Sequence, residues 1–163
     1  QWKTGTVRRF MMKKIVLLVT LLIFSSLAYA DEVKCLAKNI FYEAQNQPVY
    51  GMLAIADVTL NRVNDPRWPS TVCAVVEQRR WIRKRLICQF SWFCDGKSDS
   101  PKPEAIEAFS LSYMLATVRL QHRDMSVLPA DIYWYHNDTV QPYWASAYRL
   151  YTTIGDHTFY SDI

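Results

Sequence analysis

Glu43 is the residue whose type and position in this sequence best suit catalysis. Apolar residues on both sides of it recur at the three- and four-residue spacing of an amphipathic helix. They are Val33, Leu36, Ala37, Ile40, Phe41 and Ala44. Helical geometry then places Glu43 beside Leu36, at the apolar stripe. Apolar surroundings raise the pKa of a carboxyl group, which suits a general acid near neutral pH; the alternative is a solvated surface glutamate.

Three further helices are predicted after this first one along the chain. A second begins near Pro48, because proline suits a first helical position. Its apolar residues are Met52 or Leu53, Ala56, Leu60 and Val63. Ser70 or Thr71 is a suitable cap for a third helix. A fourth, from about Pro103 to Gln121, is interpreted as structural.

The segment from Arg79 to Arg85 has five basic residues among seven. It is interpreted either as a solvated charge run or as a surface that attracts an anionic polymer.

The C-terminal section is rich in aromatic residues, with nine rings in positions 133–160. Part of this set is expected in the core. Aromatic faces beside polar groups also suit sugar rings, which present apolar faces and hydroxyl edges. Gly155 and Asp156 lie between two β-prone stretches, which predicts the turn of a small hairpin.

The four cysteines are Cys35, Cys73, Cys88 and Cys94. An even number in an exported chain indicates two disulfides, for which three pairings exist. We prefer Cys88–Cys94, which closes a tight loop, and Cys35–Cys73, which ties the first helix to the third. A metal site is the weaker alternative, because no C-x-x-C or C-x-x-H spacing occurs.

The N-terminal residues predict export. Residues 1–10 lack an initiator methionine and are interpreted as upstream sequence or an expression remnant. Residues 11–30 have the pattern of a signal peptide, with Lys13 and Lys14, an apolar core and an A-x-A site before Asp31. The alternative is an uncleaved anchor, but the apolar run is short for a span of about 20 residues. We therefore expect cleavage, no stable membrane span afterwards, and a location in the periplasm, the cell envelope or the medium.

Cleavage also changes the charge. The chain has 19 Lys and Arg against 15 Asp and Glu, and five basic but no acidic residues precede Asp31. Residues 31–163 then hold 14 basic and 15 acidic residues, so we expect no nucleic-acid partner. Their length suits one domain with its own core.

Four blocks carry a family resemblance. They are N-I-F-Y-E-A at 39–44, L-N-R-V at 60–63, C-Q-F-S-W-F-C-D-G at 88–96, and Y-H-N…P-Y-W…I-G-D-H-T-F-Y from 135 to 160. In this order and spacing they resemble the spore-cortex-lytic (SleB-like) cell-wall hydrolases. The resemblance implies a mainly α fold, α+β with a small β-hairpin, in a lysozyme-like or lytic-transglycosylase-like single domain. It also implies cleavage of peptidoglycan glycan strands between N-acetylmuramic acid and N-acetylglucosamine.

The resemblance assigns roles residue by residue. The family's catalytic glutamate falls on Glu43. The substrate-binding residues that it implies are Gln89, Phe90, Ser91 and Trp92, with Tyr135, His136 and Asn137. The tail block also carries over to His157. The chain departs from spore enzymes in its four cysteines and in lacking a separate peptidoglycan-binding repeat.

Two reactions fit these residues. A lytic transglycosylase can work with one glutamate, which protonates the leaving oxygen and then accepts the proton of the muramyl 6-hydroxyl. A muramidase needs a second carboxylate. Asp57, Asp65 and Asp95 are the acidic residues near the blocks, and Asp95 is the best candidate. We favour transglycosylation, because no block demands the second carboxylate.

Two rival functions remain at the sequence level. A zinc-dependent amidase would need clustered histidines, but His122, His136 and His157 show no H-x-x-x-H or H-x-H spacing. A non-catalytic wall-binding module would fit the aromatic tail alone. We expect no metal, no cofactor and a monomer that acts on peptidoglycan.

Overall fold

The structure is a computed structural model that describes residue 20 and residues 27–163. The predicted upstream residues 1–10 and most of the predicted signal peptide, 11–30, lie outside the described residues. The chain divides into two units, residues 1–31 and residues 32–163, and the second carries the features below. Within the described residues, no helix has the length and hydropathy needed to cross a membrane.

The second unit contains four α-helices. They are α1, of which residues 32–44 lie in this unit, α2 (Val49–Asn64), α3 (Val72–Val76) and α4 (Ile106–Gln121). Short 3-10 helices cover Ser91–Cys94, Pro103–Ala105 and Tyr143–Ala147. All four predicted helices are therefore present. Helix α2 starts one residue later than predicted, and the first three residues of the predicted fourth helix form a 3-10 turn before α4. Pro48 has the extended ψ of a cap residue, 150°, and precedes the first helical residue.

Helix α2 is the centre of the core. Its residues from Gly51 to Arg62 are buried with the exception of Leu53. The apolar stripe predicted for α1 is buried, and all of it except Phe41 belongs to the same core as α2. Phe159 adds to this core from the C-terminal sheet. The small side chains of Ala54 and Ala56 allow neighbouring elements to approach the helix closely.

A buried ion pair joins α2 to α4. Arg119 donates to Asp57 Oδ1 from both Nε, at 2.8 Å, and Nη2, at 2.6 Å. The other oxygen, Asp57 Oδ2, accepts the backbone N–H groups of Val127 and Leu128 at 2.7 and 3.0 Å. Because these bonds satisfy both charged groups, the pair fixes the loop that leads from α4 into the sheet.

The C-terminal strands are β3 (Ile132–Asn137), β4 (Arg149–Ile154) and β5 (His157–Ser161). They form an antiparallel sheet in the order β3-β5-β4. The predicted hairpin is β4–β5, and its turn contains Gly155 at φ 57°. Gln47, after α1, brackets this turn by bonding both the backbone N–H and the carboxylate of Asp156, at 3.0 and 2.9 Å. The sheet is thereby fixed to the end of the helix that carries Glu43.

The basic segment forms a separate hairpin of the first two strands, β1 (Arg79–Ile82) and β2 (Arg85–Cys88). We call residues 79–88 the basic hairpin. No secondary structure was predicted for this segment. Disulfides join Cys88 to Cys94 and Cys35 to Cys73, which is the pairing preferred from the sequence.

Candidate active site

A cleft of about 420 Å³ lies where α1, α2, the segment after the basic hairpin, and β3 meet. We call it the Glu43 cleft. Its walls include Glu43 from α1, Arg62 from α2, Gln89, Phe90 and Ser91 from the segment after Cys88, Tyr135, His136 and Asn137 from β3, Trp144, and His157 from β5. The structure thus brings together Glu43 and six of the seven residues expected to bind substrate.

The carboxyl group of Glu43 has one direct side-chain partner among the described residues. Tyr135 donates its phenolic hydroxyl to Glu43 Oε2 at 2.9 Å. Burial raises the pKa of Glu43, while the bond from Tyr135 and the charge of Arg62 act in the opposite direction without cancelling it. Glu43 therefore holds its proton to a higher pH than an exposed glutamate, as a general acid must.

Arg62 provides a buried positive charge beside the cleft. Its Nε donates to the carbonyl oxygen of Tyr133 at 2.9 Å, and its Nη1 has no partner among the described residues. The guanidinium lies 5.6 Å from the ring centre of Phe90 and 5.8 Å from that of Trp134. Burial lowers the pKa of Arg62 to about 10, so the side chain stays charged at neutral pH.

The end of α2 positions the strand that carries Tyr135. Asn61 donates to the carbonyl oxygens of Pro129 and Ile132 at 2.8 and 3.0 Å. With the bond from Arg62 to Tyr133, these contacts fix the start of β3 against the helix. From this fixed strand the hydroxyl of Tyr135 reaches Glu43 on α1.

A second hydrogen-bond chain positions Phe90 and Ser91. Trp92 donates its indole N–H to Asn39 Oδ1 at 3.2 Å, and Asn39 donates in turn to Thr59 Oγ1 at 3.0 Å. This chain links α1, α2 and the 3-10 helix that begins at Ser91. It is fully buried, which makes each of its donors costly to leave unpaired.

The far wall of the cleft combines rings and hydrogen-bonding groups. His136 Nδ1 lies 2.9 Å from the carbonyl oxygen of Asn137, so this nitrogen donates. Its Nε2 lies 2.8 Å from the hydroxyl oxygen of Tyr160, so both ring nitrogens are hydrogen-bonded. The ring of Trp144 stands edge-on to His136. His157 is buried, which lowers its pKa, and its Nδ1 has no partner in the described part of the chain.

Trp92 and Asp95 do not line the Glu43 cleft. Both line a second cavity of about 450 Å³, where Trp92 stacks on Tyr42. The carboxylate of Asp95 accepts the backbone N–H of Lys97 and pairs with its ammonium group, which lowers the pKa of Asp95. Asp95 is therefore held as a turn residue outside the cleft.

The other two acidic candidates are also occupied elsewhere. Asp57 forms the buried pair with Arg119. Asp65 pairs with Arg67 through a bond of 2.9 Å from the guanidinium. Among the described residues that line the cleft, Glu43 is the only carboxylate.

Sequence reasoning missed the part that Arg62 and Trp144 play in the cleft walls. The sequence did contain an indication for Arg62, because it is a cation near the end of a helix whose other residues were interpreted as core. Trp144 was one of nine rings in the tail, and nothing in its local sequence separates a cleft residue from a core residue. Within residue 20 and residues 27–163, no group of three His, Cys, Asp or Glu side chains is placed to hold a metal ion.

Comparison with known proteins adds a family. A family model described as Cell Wall Hydrolase matches residues 46–160. Two curated relatives are spore cortex-lytic enzymes. The one from Bacillus subtilis (strain 168) is 39% identical over 46 residues, which are 28% of this chain and 15% of the relative. The one from Halalkalibacterium halodurans is 37% identical over 49 residues, 29% of this chain and 15% of the relative. The aligned part of the chain thus spans about one seventh of each relative.

Solved structures show the same fold. The catalytic domain of the germination-specific lytic transglycosylase SleB from Bacillus anthracis aligns with a TM-score of 0.61 at 22% identity, over 80% of this chain and 93% of that domain. The catalytic domain of the Bacillus cereus SleB protein aligns with a TM-score of 0.54 at 23% identity, over 80% and 89%. These likenesses confirm the predicted fold class, and Glu43 itself lies just before the stretch that the family model matches.

Proposed function

Because this chain belongs to the cell wall hydrolase family, we propose that it cleaves the glycan strands of peptidoglycan as a lytic transglycosylase. The bond cleaved is the one between N-acetylmuramic acid and N-acetylglucosamine, and Glu43 is its general acid. The observation that carries the proposal is the carboxyl group of Glu43, which has a raised pKa and faces a cleft with no second carboxylate among its described lining residues. In keeping with the predicted signal peptide, the reaction takes place outside the cytoplasm.

In the first step protonated Glu43 gives its proton to the oxygen that links the two sugars. The bond from the muramyl C1 to that oxygen breaks, and positive charge develops on the muramyl ring. Glu43 leaves this step as a carboxylate. The hydroxyl of Tyr135, 2.9 Å from Oε2, and the charge of Arg62 stabilise this ionised form.

In the second step the Glu43 carboxylate accepts the proton of the muramyl 6-hydroxyl. The oxygen of that hydroxyl attacks C1 and closes a 1,6-anhydro ring, so Glu43 regains its proton and no water is consumed. One carboxyl group thus serves both steps. Hydrolysis would instead need a second carboxylate, either to activate water or to attack C1.

The other cleft residues are assigned to substrate binding. Gln89, Ser91 and Asn137 offer amide and hydroxyl groups that suit sugar hydroxyls and N-acetyl groups. The rings of Trp144 and Tyr135 offer apolar faces for sugar rings. His136 is held by hydrogen bonds at both ring nitrogens and serves as a further polar contact.

The Glu43→Gln variant tests the assignment. Glutamine keeps the size of the side chain and can still accept the bond from Tyr135, but it has no acidic proton. General-acid catalysis contributes about 10²–10⁴-fold, so release of muropeptides from purified sacculi should fall by at least that range. The matched control is Glu107→Gln, an exposed glutamate on α4, which should release muropeptides at the wild-type rate.

Mass spectrometry of the released muropeptides distinguishes the reactions. Wild-type protein should release 1,6-anhydro ends. Reducing ends would keep Glu43 as the acid but make the enzyme a muramidase, and free stem peptides would indicate an amidase. A folded Glu43→Gln protein that lyses sacculi at the wild-type rate would remove Glu43 from the mechanism. Absence of any lysis by the wild-type protein, with binding retained, would favour a wall-binding module.

A further inference from the structure

The basic hairpin, residues 79–88, has a face that no other strand covers. Its two strands pair only with each other, and seven of their eight residues are exposed. An isolated two-stranded hairpin is marginally stable by itself. Here its base is closed by the disulfide Cys88–Cys94 and by the bond from Gln89 N–H to the carbonyl oxygen of Gln78, at 2.8 Å. The hairpin is therefore held in place from one end.

Its charge is of one sign. Five of its residues are basic, and no acidic residue occurs between Gln78 and Cys94. The basic side chains lie at the base, at the tip and along both strands, and all five residues are exposed. A concentration of cations of this kind attracts an anionic surface within a Debye length, about 8 Å at physiological ionic strength.

The same hairpin exposes large apolar side chains. Trp81 lies opposite Leu86 in the register, so the two share one face, and Trp81 is 71% exposed. Ile82 and Ile87 are exposed on the other face. A charge run that only contacts solvent would not account for these exposed apolar side chains. A cluster of exposed apolar residues indicates an interaction site.

The turn at the tip of the hairpin has two basic residues at positions whose backbone conformation disfavours residues with a Cβ. Arg83 and Lys84 have φ values of 46° and 65°. A two-residue turn with both φ values positive is favoured by Asn-Gly, because side chains with a Cβ are strained there. The turn geometry therefore does not account for Arg83 and Lys84, and strained residues of this kind are often functional.

We propose that the basic hairpin docks the protein on a bilayer that carries anionic phospholipid. Trp81 and Leu86 enter the boundary between head groups and acyl chains, while Arg83, Lys84 and Arg85 contact the lipid phosphates. An anionic wall polymer would match the charge equally well. It has no apolar phase for Trp81 and Leu86, so these exposed apolar residues favour lipid. This docking is independent of the cleavage reaction at Glu43.

One double variant separates the effect of charge on binding from any loss of folding stability. Arg83→Asn combined with Lys84→Gly removes two charges and installs the dipeptide that the turn prefers. The exported protein is sedimented with vesicles of phosphatidylcholine, with and without phosphatidylglycerol. Wild-type protein should bind only the anionic vesicles. A basic residue at such a surface contributes about fivefold in affinity, so the double variant should bind them about 30-fold more weakly while its thermal unfolding temperature stays equal or rises.

Two controls keep the result specific to the hairpin. Lys34→Gln combined with Lys102→Gln changes the net charge equally at exposed lysines elsewhere, and this variant should bind vesicles as wild type does. Trp81→Ser should lose at least about tenfold in affinity for anionic vesicles, because the apolar contribution is removed. Lipids with brominated acyl chains should quench more tryptophan emission in wild-type protein than in Trp81→Phe.

Three results would overturn the proposal. The first is wild-type binding that does not depend on phosphatidylglycerol. The second is wild-type affinity in both hairpin variants. The third is a soluble polyanion such as polyphosphate that binds through the same residues while vesicles do not, which would make the hairpin a wall-polymer site. Release of soluble fragments from peptidoglycan should be unchanged in the hairpin variants, so failure of the docking proposal is distinguishable from failure of the proposed reaction.

Discussion

The pKa of Glu43 results from effects that act in opposite directions. Burial favours the neutral form and is the largest of them, while the Tyr135 hydroxyl and the Arg62 charge favour the carboxylate. The balance leaves the pKa raised. The same two groups stabilise the ionised form that must exist between the two steps of the proposed reaction, so the site suits both protonation states of one carboxyl group.

Replacing Tyr135 should change the pH dependence of the rate. The acid must be protonated to act, so activity falls as pH rises through the raised pKa of Glu43. Tyr135→Phe removes a bond that lowers this pKa, and the fall should therefore move to higher pH. Rates of muropeptide release measured across pH check this, with Tyr143→Phe, at an exposed tyrosine, as the control. If the activity of Tyr135→Phe fell at the same pH as that of the wild type, or at a lower pH, the proposed effect of Tyr135 on the pKa of Glu43 would be wrong.

At the scale of elements, α2 does most to assemble the cleft. Its C-terminal residues Asn61 and Arg62 hold the start of β3, and Thr59 anchors Asn39 and hence Trp92. One turn earlier, Asp57 holds both α4 and the loop before β3. Polar side chains in the last two turns of one buried helix thus fix the two segments that form opposite walls of the cleft.

Loss of the charge of Asp57 should destabilise the fold. Asp57→Asn leaves Arg119 buried without its counter-ion, since the side chains of this pair are 0% and 4% exposed. Breaking a buried pair in this way costs about 3–5 kcal/mol in the free energy of unfolding. Urea unfolding measures this value. The control is Asp131→Asn. Asp131 and its partner Arg149 are both exposed, and their charged atoms are 3.9 Å apart. This substitution should change the free energy of unfolding by less than about 0.5 kcal/mol.

At the scale of the whole molecule, two covalent links act over very different loop lengths. Cys35–Cys73 joins α1 to α3 across 38 residues, whereas Cys88–Cys94 spans six. The first link joins the helix that carries Glu43 to a distant helix. Glu32 reinforces this junction, because its carboxylate accepts the N–H of Val72 at the start of α3, at 2.6 Å.

The two disulfides should therefore differ in their effect on stability. In the chain-entropy model the longer loop corresponds to about 4 kcal/mol and the shorter one to about 2 kcal/mol. We expect Cys35→Ala with Cys73→Ala to lower the free energy of unfolding more than Cys88→Ala with Cys94→Ala. Urea unfolding of the two double variants compares them directly. Equal losses, or a larger loss from the short loop, would show that the chain-entropy contribution does not dominate.

Much of the fold follows from local sequence. The three-and-four periodicity before Ala44 predicted a helix buried on the face that the structure buries, and Gly155-Asp156 predicted the turn of the β4–β5 hairpin. Both signals lie within a few residues of the structure that they predict, because helix faces and tight turns depend on neighbouring backbone geometry. The preferred disulfide pairing also agrees with the structure.

Only the tertiary structure decided which side chains meet. Tyr135 bonds Glu43 from 92 residues away, and Arg62 adds its charge because α2 packs beside both. Trp92 directly follows the cleft residue Ser91, and Asp95 lies four residues after it. Both line the second cavity instead, because a short 3-10 helix directs successive side chains in different directions. The basic segment became a hairpin through pairing between strands. No local pattern contains such contacts, since packing between distant elements determines them.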